Sequence, residues 1–294
     1  MNPESTSTNT AIEMYIDMEQ GSKEWLALRR TKITATDAVT IMGVSPYKTP
    51  LQLYHEKISG CSVSKPNPAM QRGLYLEPIA REKFSSMVGM EFNPAVVVRD
   101  WAMASLDGID ESRSKIVEIK CPGKKDHDIA LSGKVPDHYY PQLQHQMYVC
   151  DVDYMFYFSF DGIWGVVVSV ERNQEYIDKM IQEETKFYEC LLSEIPPDPS
   201  DGDYVVRTDE LWEDTATRWK DVRLTIKELE REEEDLKRQL IFLSGEANST
   251  GAGISLCQVI RKGIVDYKKI PELQGVDLNA YRKDPVSSWR INIK

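Results

Sequence analysis

The sequence predicts a mixed α/β (α+β) domain followed by a long helical arm. Three observations predict it. Between residues 21 and 195, amphipathic helical stretches alternate with short apolar runs bounded by Gly, Pro, Asp and Asn. Within that region Ser105-Leu106-Asp107-Gly108 and Ile116-Val117-Glu118-Ile119-Lys120 read as two strands of one hairpin carrying two acids and a lysine. From 209 to 244, apolar residues return every seven positions, the period of a coiled-coil seam.

The totals narrow the choice of class. A chain of 294 residues with 41% hydrophobic content suits one large domain with an appendage. The apolar stretch Met155 to Val170 is broken by Asp161-Gly162, so no membrane span is expected. Residues 1–12 are polar and lack an apolar signal core, which leads to the expectation of an intracellular protein. Five cysteines without a C-x-x-C pair argue for free thiols. A net charge of −11 counts against a broad nucleic-acid-coating surface but not against a basic groove. Much of the excess lies in residues 201–243, with 13 acidic and 8 basic residues.

In order along the chain, residues 1–20 are expected to be a flexible tail. Glu24 to Arg30 reads as a short helix, and Thr34 with Asp37 as a variant capping box opening a helix that Gly43 ends. Ser45 to Lys48 is a turn into a helix over 50–58, and 60–69 is a loop. Arg72-Gly73 then enters a helix reaching Gly89, with Ile79, Ala80, Phe84, Met87 and Val88 as its buried stripe. Ala95 to Val98, Trp101 to Leu106 and Lys115 to Cys121 are successive strands. Asp137 is expected to cap a helix in which Tyr139, Gln142 and Gln146 share one face. Tyr154 to Phe160 and Ile163 to Val170 form a hairpin, and an amphipathic helix runs to Ser193. The expected boundaries are a core domain over 21–195, a linker over 196–208, a coiled-coil helix over 209–244, and a small unit over 245–294. In that last unit Gly245 to Gly253 is expected to be a flexible link. Val265-Asp266-Tyr267 and Trp289-Arg290-Ile291 read as strand-forming.

The hairpin carries the chemistry. Alternation puts Glu118 and Lys120 on one face and Val117 and Ile119 on the other, with Asp107 across from Glu118. Two converging carboxylates repel unless a cation joins them, and hard oxygen donors suit Mg²⁺ or Mn²⁺. An ordinary cross-strand Glu/Lys pair would use the same residues. Glu77 is placed near a helix start, where an acid is often a dipole partner and where a third carboxylate could also reach a metal. Arg29 and the Thr36 hydroxyl lie near a helix N-terminus that could hold a phosphate. A plain capped helix with a surface arginine accounts for them equally.

The order helix, three strands with D…E-x-K, helix, strand resembles the core of the PD-(D/E)xK nucleases. Six ordered segments resemble the phage lambda exonuclease and YqaJ-type viral recombinase family within it. They are Trp25 to Arg29 with Ile33 to Thr36, Gly43 to Tyr47, Arg72-Gly73 with Glu77, Ser105 to Gly108, Glu118 to Pro122, and Tyr139 to Gln144. Together they cover residues 20 to 195. Leu106 stands where the family has proline, and Thr36 where it has serine. The resemblance implies Asp107, Glu118 and the Ile119 carbonyl as metal ligands, with Glu77 completing a second metal position for two Mg²⁺ ions, or Mn²⁺ in their place. It implies Lys120 orienting the attacking water, Gln142 helping to place it, and Arg29, Thr36 and Ser105 gripping the 5′-phosphate of DNA. Tyr139 joins them on the DNA side.

The family likeness further implies progressive 5′-to-3′ digestion of one strand of linear duplex DNA. The product carries 3′ single-stranded tails for phage-type recombination in the bacterial cytoplasm. The implied partners are DNA ends, a single-strand annealing protein, and further copies of the chain in a ring of three or four. Two other readings use the same residues: a structure- or site-specific endonuclease, because the metal site does not decide whether an end is needed, and a non-catalytic DNA-binding module. Retention of all four ionisable groups argues against the last.

Overall fold

The computed structural model describes residues 15–60, 68–245 and 247–261, together with 263, 269–273, 276 and 281. The chain divides into two compact units, residues 1–204 and 205–294.

The first unit is built on a seven-stranded mixed sheet. Its elements run β1 (Tyr15–Ile16), α1 (Lys23–Thr31), β2 (Ile33–Thr34), α2 (Ala35–Ile41), α3 (Pro50–Ser59), α4 (Pro68–Val88), β3 (Asn93–Arg99), β4 (Ala102–Ile109) and β5 (Ile116–Lys120). Then come α5 (Lys124–Leu131), a 3₁₀ turn at Asp137–Tyr139, α6 (Tyr140–Cys150), β6 (Tyr154–Phe160), β7 (Gly165–Glu171) and α7 (Gln174–Ser193). The strand order is β1-β3-β4-β5-β6-β7, with β2 pairing β4 in parallel. β5 and β6 are parallel and the remaining neighbours antiparallel, so α5 and α6 form the crossover between them.

Alternation along the strands sends their side chains to two separate cores. On one face Ala104, Leu106, Ile116 and Tyr157 pack under Leu143 and Met147 of α6. On the other, Val117, Ile119 and Phe158 pack under Leu76, Ala80 and Phe84 of α4. Phe84 is fully buried, which is worth about 2–3 kcal/mol. The stripe of α4 is therefore Leu76, Ala80, Phe84 and Val88, while Ile79 and Met87 are exposed, contrary to the expectation from sequence.

Several boundaries also differ. Residues 15 and 16, expected in the tail, form an edge strand against Val96 and Val97, and Gln20 donates to the Leu106 carbonyl. α4 begins at Pro68, so Glu77 sits in mid-helix and not beside a helix N-terminus. Asp137 makes no side-chain cap. Pro141, which lacks an N–H and is tolerated only in a first turn, sets the start of α6 at Tyr140. Within the stretch expected to link the domains, Asp203 accepts a hydrogen bond from the Thr49 hydroxyl.

The second unit contains α8 (Glu210–Leu243), capped by Asp209, and a hairpin of β8 (Ser249–Gly251) and β9 (Ile254–Leu256). The hairpin lies where a flexible link was expected. Ala252 and Gly253 both have positive φ, the backbone of a type I′ turn, whose twist matches that of paired strands. The expected strands at 265–267 and 289–291 fall outside the described residues.

Candidate nuclease site

The site forms where two strands part. β4 and β5 pair through Gly108↔Val117 and Ile109↔Ile116 and no further, although both strands continue. At the next position the Asp107 carboxylate takes the place of a ladder partner, accepting the Ile119 N–H at 2.7 Å. A Cβ on Gly108 would lie 2.8 Å from Phe92 and Val117, so only glycine permits this close crossing.

Asp107 and Glu118 thus converge. Burial first, then the Glu118 charge, push the Asp107 carboxyl well above the usual carboxylate range; Lys120 opposes this and Glu77 adds to it. Glu118 is almost fully buried and receives three donors. Lys120 Nζ and Gln142 Nε2 each lie 2.5 Å from Oε1, and Gln146 Nε2 lies 2.6 Å from Oε2. Burial opposes the Lys120 charge, yet Glu118 and Asp107 outweigh it and raise the ammonium's pKa. The Tyr139 ring covers Lys120, with Nζ 5.4 Å from its centroid. The start of α6 and the turn before it therefore deliver Tyr139, Gln142 and Gln146 to the β5 face.

Glu77 engages Arg81 at 2.7 Å. Among the described residues no group of three or more His, Cys, Asp or Glu side chains is arranged to hold a metal ion. The donor set is two carboxylates beside the Ile119 main chain. It fits a divalent cation: hard oxygen donors converge, and mutual repulsion leaves Asp107 short of positive charge.

Arg29, Thr36 and Ser105 also come together. Arg29 Nη2 lies 2.6 Å from Thr36 Oγ1, and its guanidinium stacks 4.8 Å over Trp25. Trp25 Nε1 in turn donates to Ser105 Oγ at 3.0 Å. Ser105 stands two residues before Asp107 on β4, so this cluster adjoins the carboxylates along the chain, although the register of β4 against β3 slips between Leu106 and Ile109 and breaks the strand's alternation there. Gln146 Nε2 reaches both, lying 3.5 Å from the Ser105 carbonyl.

Three supports were not legible in the sequence. Trp25 joins the arginine to the serine, and only its i, i+4 spacing from Arg29 signalled a contact. Lys57 forms a buried ion pair with Asp37 at 2.7 Å and also donates to the carbonyls of Arg29 and Lys32, pinning the end of α1. His145 and Glu184 form a second, fully buried pair at 2.8 Å behind α6.

A twisted mixed sheet with Asp107 and E-x-K at the parting of two strands is the core of the PD-(D/E)xK class. More narrowly, residues 24–153 match the YqaJ-like viral recombinase domain. The chain is 27% identical over 179 residues to the uncharacterised protein YqaJ of Bacillus subtilis, covering 58% of this chain and 56% of YqaJ. It is 28% identical over 159 residues to the uncharacterised protein R354 of Acanthamoeba polyphaga mimivirus, covering 48% and 29%. The matches thus span little more than half of one curated relative and less than a third of the other. Among solved structures, it is similar to LHK-Exo, an alkaline exonuclease from Laribacter hongkongensis. Identity is 26% and the TM-score 0.51, over 59% of this chain and 94% of that one. The complex of LHK-Exo with dAMP matches at a TM-score of 0.52.

Proposed function

We propose that this chain is a divalent-metal-dependent deoxyribonuclease that digests one strand of linear duplex DNA from its 5′ end. The observation that carries the reading is the convergence of Asp107, Glu118 and Lys120 close to the Arg29–Thr36–Ser105 cluster, with Gln146 reaching both Glu118 and the Ser105 carbonyl. The likeness to an alkaline exonuclease over nearly all of that enzyme's length supports it.

Asp107, Glu118 and the Ile119 carbonyl would hold Mg²⁺, with Mn²⁺ able to serve; a second ion would require Glu77 to release Arg81. A cation held there supplies charge neutralisation at the scissile phosphate and lowers the cost of ionising water. The chain's own groups do the rest. Lys120, kept charged by its two carboxylates, is placed to hold the attacking water and to meet negative charge as it builds on phosphorus. Gln142 and Gln146 fix the Glu118 carboxylate from both oxygens, and Tyr139 shields Lys120 from solvent. The planar guanidinium of Arg29, with the Thr36 and Ser105 hydroxyls, suits a terminal phosphate monoester, which offers more charge and one more free oxygen than an internal diester. Ordinary groove lysines would not make that distinction. On this reading the enzyme leaves 3′ single-stranded tails. A single-strand annealing protein would be its partner, and a ring of copies would hold it on the duplex.

The test compares linear and covalently closed duplex, with 5′-phosphate or 5′-hydroxyl ends, in Mg²⁺ and in chelator. The expected result is Mg²⁺-dependent loss of linear DNA, faster with 5′-phosphate. Efficient cutting of closed circles would overturn it in favour of an endonuclease, and no cleavage in any divalent metal would leave a binding module.

A further inference from the structure

The heptad face of α8 is largely open among the described residues, with Trp219 alone of its large apolar seam side chains half-buried. No residue of this 34-residue helix is buried. Trp212, Val222, Leu229 and Leu236 are 51–57% exposed, and Leu243 reaches 78%. Leu229, Leu236 and Leu240 line a shallow groove with Glu232, Glu233 and Lys237 along its rim. An exposed apolar stripe of this length marks an interaction surface.

Charge along the helix selects the occupant. The segment 218–227 is basic, with Arg218, Lys220, Arg223 and Lys227 against Asp221 alone. The segment 228–235 is acidic, with Glu228, Glu230, Glu232 to Glu234 and Asp235 against Arg231. The helix opens acidic at Glu210, Glu213 and Asp214 and closes basic at Lys237 and Arg238. A parallel, in-register pair would set each block against its like. An antiparallel pair sets each against its opposite.

The same antiparallel register satisfies the seam. It pairs Ile226 with Leu229, Trp219 with Leu236 and Trp212 with Leu243 across the interface, using nearly the whole helix. Glu233, the one charged seam position, falls opposite Val222, with Arg223 flanking it and facing Glu230 along the same edge of the seam. Among the described residues, Arg223, Glu230 and Glu232 have no ion-pair partner within the chain; the pairs Lys237–Glu234 and Arg238–Asp235 lie off the seam. We infer that α8 binds the α8 of a second copy of this chain as an antiparallel two-helix coiled coil.

The test uses the full chain at tens of micromolar, with mass read by sedimentation equilibrium and helix content by circular dichroism. Ile226→Asp with Leu229→Asp should lower the mass and leave helix content unchanged, since both side chains are exposed. Arg223→Glu should lower it too, as should Glu230→Arg. Both reversals in one chain should restore the wild-type mass, because residues 223 and 230 again face opposite charge when the helices run antiparallel. An unchanged mass in the Asp double variant overturns the inference, leaving the stripe to residues 262–294 or to a different protein. A doubly reversed variant that stays dissociated overturns the antiparallel pairing. Cleavage plays no part in these measurements, so their outcome is independent of the nuclease reading.

Discussion

Gln146→Leu removes the one donor among the described residues that reaches Glu118 Oε2, while keeping the side-chain volume. Glu118 is 2% exposed and Gln146 fully buried, so no water replaces the lost bond without rearrangement. A hydrogen bond to a charged group contributes about 1.5–3 kcal/mol. Against this, Gln146 Oε1 is itself buried without a partner, and leucine removes that unsatisfied acceptor. A net loss of about 2 kcal/mol remains, which lowers the melting temperature by roughly 4–8 °C in a domain of this size. That loss belongs to the metal-free protein. With a divalent cation shared by Asp107 and Glu118, the carboxylate regains a counter-charge, so Mg²⁺ should stabilise the variant more than the wild type. Scanning calorimetry in chelator and in saturating Mg²⁺ measures both differences. A variant that melts with the wild type in chelator refutes the bond's importance. Equal Mg²⁺ shifts for the two proteins would refute the coupling between Gln146 and the ion.

Asp107→Asn should abolish most cleavage yet raise stability in chelator at neutral pH. The carboxyl's pKa is raised on folding, so its ionised form opposes folding above its unfolded value, while the amide oxygen can still accept the Ile119 N–H. Denaturant melts that show a loss of stability would contradict this. Lys120→Ala should lower turnover by about 10²–10³ and weaken DNA binding much less, which single-turnover rates and fluorescence anisotropy separate. Arg29→Ala should bring the rates on 5′-phosphate and 5′-hydroxyl ends together without changing Mg²⁺ affinity. His145 should make stability depend on pH. Burial alone would lower its pKa, but Glu184 and the Met103 carbonyl raise it above 6.5. Its contribution is therefore complete below the unfolded value and lost as pH rises through the folded one, so urea midpoints should fall on the alkaline side, and less so in His145→Gln.

The parts of the fold legible in the sequence are those fixed by neighbours in sequence. The alternation of Ile116 to Lys120 determines which side chains meet α6 and which meet α4. The Thr34–Asp37 capping box is closed within four residues, and the seven-residue repeat of α8 needs no tertiary knowledge. Failures arise where the deciding contact is remote. The stripe of α4 depends on which residues face Phe158 and Ile119, and that phase cannot be seen from α4 alone. Asp37 reads as a cap in the sequence, yet its carboxylate is also the counter-ion of Lys57, brought in by α3.

The same distinction separates two layers of the site. Asp107, Glu118 and Lys120 could be read from the hairpin because their chemistry and spacing are local. The groups that hold them in position could not, because each comes from a different helix. Gln146 from α6 binds Glu118, and Trp25 from α1 binds Ser105. Lys57 from α3 ties α1 to the start of α2, where Thr36 meets Arg29. Through Gln146, which reaches both Glu118 and the Ser105 carbonyl, the Asp107–Glu118 carboxylates and the Arg29–Thr36–Ser105 cluster share one support. A shift of β4 that moves Ser105 must also move Asp107, two residues away. The spacing from Ser105 to Asp107 is then a property of β4 and α6 together, and not of any loop. On the proposed reading, that fixed spacing is what would let a grip on the strand end set the register of each cut.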